Sequence, residues 1–197
     1  MKRISWLIMF ATLHEADETI RMFRAEQTAP GQYAFTGGKI LLCGMGLEAA
    51  SSAAFAAPIE GYRWLNIGLA GSLDAQISLG AVRSIKSVSL LDGSTSPIVI
   101  DPDGDTLLYS SPTPVYAAPE VNAALVDMEG YAIACAAKEK GAALSMRKVV
   151  SDYCSKSSHT DILDNMEFLS CRMAEEVSRI LFPRACEAPA VLATVRL

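Results

Sequence analysis

The chain has 197 residues, 51% of them hydrophobic and 20% charged, with a formal net charge of −5. That length suits one domain spanning 1–197 that buries about 70% of its unfolded surface, and the composition excludes a disordered chain. The acidic balance and the lack of any Lys/Arg cluster argue against a nucleic-acid partner, which needs clustered cations to neutralise phosphates.

The apolar run Ile4–Ala11 follows Lys2 and Arg3 and so imitates a secretory leader. It is only about ten residues long, meets His14, Glu15, Asp17 and Glu18 at once, and has no small-residue cleavage site. It reads instead as a buried parallel strand. A helix is expected over Glu15–Gln27, ending before Pro30 and Gly31. A short strand follows at Gln32–Phe35, then a turn at Gly37-Gly38 and a strand at Lys39–Cys43. Gly44-Met45-Gly46 opens an Ala-rich helix, Leu47–Ala57, stopped by Pro58. Trp64–Leu69 is another buried strand, ending in the turn Ala70-Gly71-Ser72, and Val82–Leu90 is the next.

From Asp92 to Pro119 the chain is rich in Pro, Ser, Asp and Gly, with two short strand-like pieces, Ile98–Ile100 and Leu107–Tyr109. It reads as loops over the mouth of a site. Helix returns at Val126–Lys140, closed by Gly141, and Leu144–Val150 is a strand. A final amphipathic helix spans Asp161–Phe182, with Ile162, Met166, Leu169, Met173, Val177 and Ile180 at steps of three and four. Asp164 and Glu167 stand at the spacing of a capping box. No run approaches the roughly 20 apolar residues of a membrane span, so no membrane partner is expected.

Strands alternating with helices imply an α/β fold, a sheet covered by helices on both faces. Ligands of such sheets sit at the carboxyl ends of the strands. That rule selects the segment after Ala11 with Glu15, the Gly44–Gly46 turn, Leu69–Ser72, and Ser151-Asp152. Each also has a plain structural explanation. The glycines suit a tight turn as well as a ligand at a helix N-terminus, and Ser151-Asp152 suits a cap. Glu129 and Asp127 suit acids that complement a helix dipole, Asp127 better than Glu129. The cysteines (Cys43, Cys135, Cys154, Cys171, Cys186) are scattered and odd in number, as expected of reduced core thiols in a cytosolic protein. His14 and His159 lack ligand spacing, so no metal is expected.

The strings ATLHEA, CGMGLEAA, NIGLAGSLDAQISLG, VDMEGYAIA and VVSDYCSKSSH stand in the order found in the 5′-methylthioadenosine/S-adenosylhomocysteine nucleosidases. The chain resembles that family and its relatives, the purine nucleoside phosphorylases and the futalosine hydrolases of menaquinone synthesis. The most specific part is the Met-Glu of VDMEGYAIA with the Ser-Asp of VVSDY. The resemblance covers most of Met1–Phe182, with a gap at Asp92–Pro119, where this chain is much shorter than typical members; the tail beyond Phe182 adds nothing to it.

The resemblance implies a three-layer αβα sandwich with a central mixed β-sheet. It implies a purine nucleosidase that hydrolyses the N-glycosidic bond of an adenosine derivative, with no cofactor. Asp152 would be the general acid at purine N7, and Glu15 the base that activates water. Glu129 would hold the ribose hydroxyls with Met128 against the sugar, and Ser151 would support Asp152. Gly46, Ala70 and Gly71 would shape the ribose and water pocket. Tyr116 is the expected purine stacking partner. This chemistry requires two carboxylates in opposed protonation states, Asp152 protonated and Glu15 ionised.

Departures from the resemblance bear on the nucleophile. Phosphorylases place an Arg and a Ser where this chain has Asn66 and Leu69, which favours water over phosphate. Leu69 also replaces the Ser common in nucleosidases, and Lys148 stands where an Arg is usual. The 5′ substituent is left open between 5′-methylthioadenosine, S-adenosylhomocysteine and aminodeoxyfutalosine, the shortened Asp92–Pro119 region favouring a bulky group. The competing readings are a phosphorylase anchoring phosphate through Arg63 or Lys39, and an inactive nucleoside-binding homologue. A cytoplasmic homodimer is expected, with Leu47–Ala57 and Ala188–Leu192 as candidate interface segments.

Overall fold

The computed structural model describes residues 5–117 and 121–183. In chain order these form β1 (Ser5–Phe10), α1 (Leu13–Phe23), β2 (Glu26–Ala29), β3 (Gln32–Phe35), β4 (Gly38–Leu42), α2 (Leu47–Ala56), β5 (Tyr62–Ser72), β6 (Val82–Leu90) and β7 (Ile98–Val99). The remainder is β8 (Thr106–Ser110), β9 (Ala124–Asp127), α3 (Gly130–Lys140), β10 (Leu144–Asp152), α4 (Ser158–Asp164) and α5 (Met166–Leu181). The strands run β10-β6-β8-β9-β5-β1-β4-β3-β2, and β7 pairs with β6.

The sheet is mixed. β1 lies parallel to β4 and β5, and β5 parallel to β10, while β5–β9 and β6–β10 are antiparallel. Because β5 pairs with both β9 and β10, strands β5, β10, β6, β8 and β9 close into a ring. The other four, β1, β4, β3 and β2, extend from β5 as an open wing.

Period-two alternation along β1 and β5 sends side chains to opposite faces, and each face has its own helices. Leu7, Met9 and Trp64 pack against Ala50 and Ala54 of α2 and Ala132, Ile133 and Ala136 of α3. The many alanines let these two helices lie close to the strands. Ile8, Phe10, Leu65 and Ile67 pack against Ala16 of α1 and Leu169, Met173 and Val177 of α5. Of the periodic apolar set expected along the last helix, Leu169, Met173, Val177 and Ile180 supply this face. No helix among the described residues is long and apolar enough to cross a membrane.

Several expected boundaries move. α1 ends at Arg24, which adopts a left-handed conformation (φ 49°), and the chain turns into β2 where helix was expected. Ala70-Gly71-Ser72 is not a turn but the end of β5, kept extended by β9 and β10 on either side. Residues 124–127, expected as helix from Val126, form β9 between β5 and β8. Leu107–Tyr109, expected as a short strand-like piece, is the middle of β8 and lies inside the ring. The last helix breaks at Asn165, and no side chain caps α5 there, so the expected Asp164–Glu167 box does not form. A capping box forms instead at α1, between Thr12 and Glu15. The candidate interface segment Ala188–Leu192 and Cys186 lie outside the described residues.

Candidate active site

The carboxyl ends of β1, β5, β9 and β10 meet at one cavity of about 390 Å³. Glu15, Ala70, Gly71, Tyr116, Met128, Glu129, Ser151 and Asp152 all line it. Acids separated by more than a hundred residues in the chain therefore share one pocket, and eight of the nine residues implied by the resemblance open onto it. The ninth, Gly46, acts from behind: its N–H donates to Glu129 Oε1 at 2.7 Å. The N-terminus of α2, read either as a tight turn or as a ligand site, thus holds one of the protein's own carboxylates. Gly46 has φ 88°, a conformation that an L side chain rarely takes.

Glu15 is fixed by the local fold of α1. Its Oε2 accepts from the N–H of Thr12 at 2.9 Å, and Thr12 Oγ1 accepts from the N–H of Glu15 at 3.3 Å. Its Oε1 accepts from the N–H of Leu69 at 3.2 Å, which ties α1 to the end of β5. Asp152 ends β10. Its Oδ2 accepts from the Ser151 hydroxyl and its Oδ1 from the N–H of Cys154, both at 2.7 Å. Cys154 has φ 53°, and this backbone turn aims its amide at the carboxylate.

The resolved electrostatic shifts fall on two of these acids. Burial raises Glu15 above its ordinary value, opposed by the Thr12 and Leu69 amides and by Lys148. Glu129 is pushed up to about 7, first by burial and then by the charge of Asp127, against the pull of Lys148 and the Gly46 amide. Glu15 is buried, and it depends on amide donors and a cation to carry the charge expected of it.

That cation is Lys148, whose place in β10 sequence reasoning noted only as a departure. It is 1% exposed, and its Nζ stands 2.8 Å from Asp127 Oδ2. Burial pulls its pKa down, but Asp127, Glu129 and Glu15 outweigh this and raise it. Asp127, expected as a surface acid, is buried and also accepts from the Ser110 hydroxyl at 2.5 Å and the N–H of Gly130 at 2.9 Å. A lysine leading into Val149 and Val150 in a buried strand was the available signal, because such a cation needs a partner. The pocket also takes in Met45 of the Gly44–Gly46 turn and Thr113 and Val115 of the expected loop, together with His159, Ile162 and Leu163 of α4, which were not expected there.

Arg63 and Lys39, the alternative phosphate anchors, are elsewhere. They lie near the amino ends of β5 and β4, Arg63 over the Trp6 ring and Lys39 over the Tyr62 ring. Asn66 turns its amide to the Met9 carbonyl at 3.3 Å rather than to the cavity. No Lys or Arg is among the residues lining the cavity.

No protein-family model matches the sequence, and no curated protein is similar enough to align with it. Solved structures do match. An Asp-to-Asn variant of the nucleosidase (MTAN) of Chlamydia trachomatis, bound to MTA, superposes with a TM-score of 0.82 at 26% identity. That match covers 90% of this chain and 97% of the other. The same nucleosidase bound to adenine gives 0.81 at 27% identity, with the same coverage. A futalosine hydrolase mutant of Helicobacter pylori gives 0.71 at 14% identity, covering 88% and 96%. The fold is that of the nucleoside phosphorylase and nucleosidase superfamily.

Proposed function

We propose that this chain is a purine nucleosidase, an N-glycosyl hydrolase acting on an adenosine derivative. The observation that carries the reading is the meeting of Glu15, Glu129 and Asp152 around one cavity whose lining holds no Lys or Arg. Its likeness to nucleosidases solved with MTA and with adenine supports it.

In this reading the purine lies beside Asp152 and the ribose between Glu15 and Glu129. A purine anion leaves poorly, so Asp152 passes a proton to N7 as the N9–C1′ bond breaks and the base departs neutral. The ribosyl carbon gains oxocarbenium character, stabilised by the carboxylates nearby. Glu15 takes a proton from the water whose oxygen bonds to C1′; each of its oxygens, already accepting one amide, keeps a lone pair for this. Glu129 has Oε1 fixed by Gly46, which leaves Oε2 for the ribose hydroxyls. Ser151 orients Asp152, Met128 packs on the sugar, and Ala70 and Gly71 give the ribose its floor. Tyr116, half-exposed at the rim, is the stacking partner for the purine.

The finer reading is a single domain with the three-layer αβα arrangement, active as a cytoplasmic homodimer without a cofactor. The substrate is 5′-methylthioadenosine, S-adenosylhomocysteine or aminodeoxyfutalosine, the last placing the enzyme in menaquinone biosynthesis. The test is release of adenine from this panel with and without phosphate. Release at equal rates in phosphate-free buffer is expected. A strict phosphate requirement would replace hydrolysis with phosphorolysis.

A further inference from the structure

The closed ring of strands buries a charge that the reaction above does not itself consume. Lys148 on β10 is held by Asp127 on β9, and Asp127 by Ser110 on β8. Ser110 is itself fixed, since its Oγ accepts from the N–H of Tyr131 at 2.8 Å. Asp127 thus has both oxygens engaged, and the ammonium it binds has little freedom. Gly68 faces Lys148 across the β5–β10 pairing. A Cβ at Gly68 would lie 3.5 Å from Glu15 Oε1 and 3.7 Å from Lys148 Nζ, so the missing side chain leaves these two charges facing each other.

We infer that Lys148 is a positioning residue: clamped through Asp127 and Ser110, it presents a fixed positive charge to Glu15 that keeps this carboxylate able to accept the proton of the attacking water. The inference rests on the proposed nucleosidase reading for the role of Glu15. A buried lysine paired with one aspartate would satisfy burial alone. Here the same ammonium also meets the fields of Glu129 and Glu15, so three acids share one cation. The titratable groups whose charge bears on Glu15 are Lys148 from β10, Glu129 ahead of α3 and Cys43 after β4, and the acids Asp127 of β9 and Asp152 of β10 line the same cavity. From α5 it meets only the Ser170 hydroxyl, which donates to its backbone carbonyl at 3.2 Å. Lys148 is the one positive member of that set, and in a dry site its field is weakly screened.

The experiment is the pH profile of kcat/KM for adenine release by Lys148→Met, Lys148→Arg and Ser110→Ala. Lys148→Met should move the acidic limb upward by about one pH unit or more, because the base then needs a higher pH to ionise. Lys148→Arg should return the limb toward its original position. Ser110→Ala, which loosens the clamp without changing charge, should lower kcat more than it raises KM and shift the limb less. Lys148→Met leaves Asp127 buried without its partner, so folding is followed by thermal unfolding, and Ser110→Ala stands in if it fails. A carbon-13 carboxyl titration of Glu15 in the same proteins reads the effect without turnover. If the native chain released no base from any nucleoside, the proposed activity would fall, while the titration would still judge the Lys148–Glu15 coupling. Folded variants with an unmoved limb and an unmoved Glu15 titration would overturn the inference.

Discussion

The wing and the ring of this sheet bury their strands in opposite ways. In β1 and β4 the buried side chains are Leu7, Ile8, Met9, Phe10 and Ile40, all apolar. In the ring they include Asn66 and Ser72 on β5, Ser89 on β6, Thr106 and Ser110 on β8, Asp127 on β9, and Lys148, Ser151 and Asp152 on β10. Burial of polar groups costs free energy unless each finds a partner, and a buried charge costs far more. The ring meets much of that demand with Ser110–Asp127–Lys148 and Ser151–Asp152, and it brings three strand ends to the cavity where the wing brings only that of β1. One half of the sheet supplies stability, and the other spends part of it on preorganised charge.

The sharpest way to separate the halves is a pair of substitutions. Asp152→Asn in the ring should reduce adenine release about 10²–10⁴-fold, the usual worth of a general acid, with little change in unfolding temperature. Ile40→Ala in the wing should cost about 2–5 kcal/mol of stability in urea unfolding, through lost burial and a cavity. Its rate per folded molecule should stay near that of the native chain. If Ile40→Ala abolished turnover in folded protein, or Asp152→Asn spared it, the division of labour would not hold.

The same contrast explains what could be read from the sequence. β1 and β4 were legible because they are short apolar runs, and β3 and β6 fell at their expected bounds; β2, with no apolar run, was missed. β9 was not legible, because its buried Asp127 breaks the apolar pattern and its partners are remote in the chain, while β8 showed only as the short piece Leu107–Tyr109. Val126-Asp127-Met128-Glu129 leads directly into α3 and so read as helix, though the pairing of β9 with β5 and β8 holds its first two residues extended. The acids of the site were legible from the motifs around them, and the strand-end rule selected Glu15 and Asp152, though not Glu129. The Asp127–Lys148 pair was missed because each residue alone had an ordinary explanation, and only ring closure brings them together.

The cost of the charged half should appear in the pH dependence of stability. Glu129 stands at about 7 in the folded chain against an ordinary 4.5, and Glu15 is raised as well. The folded state therefore binds more protons than the unfolded state between these values, so stability falls as pH rises through that window and levels above it. For Glu129 alone the fall amounts to about 3 kcal/mol at most. Lys148, raised above 10.5, contributes stability that is lost only as pH climbs through its folded pKa, outside this window. Urea unfolding at pH 5, 6, 7 and 8 should show the decline, and Glu129→Gln should flatten it. An unchanged slope in that variant would assign the decline to other groups.

The smallest effect separates two glycines. A Cβ at Gly38, in the wing, would stand 2.2 Å from the Trp6 carbonyl oxygen, a backbone atom that cannot move without parting β1 from β4. A Cβ at Gly71, in the ring, would stand 2.5 Å from Cys154 Sγ and 3.1 Å from Asp152 Oδ1. Overpacking of this kind typically costs about 1–3 kcal/mol, and Gly38→Ala should show it as a lower unfolding temperature with turnover unchanged. Gly71→Ala can relieve its clash by shifting the Cys154 turn, so it should lose less stability. That shift moves the amide holding Asp152 Oδ1, and kcat should drop about tenfold, since small misplacements of a catalytic group are expensive. The outcome that would sink the comparison is the reverse one: Gly71→Ala unfolding more readily than Gly38→Ala while keeping its rate.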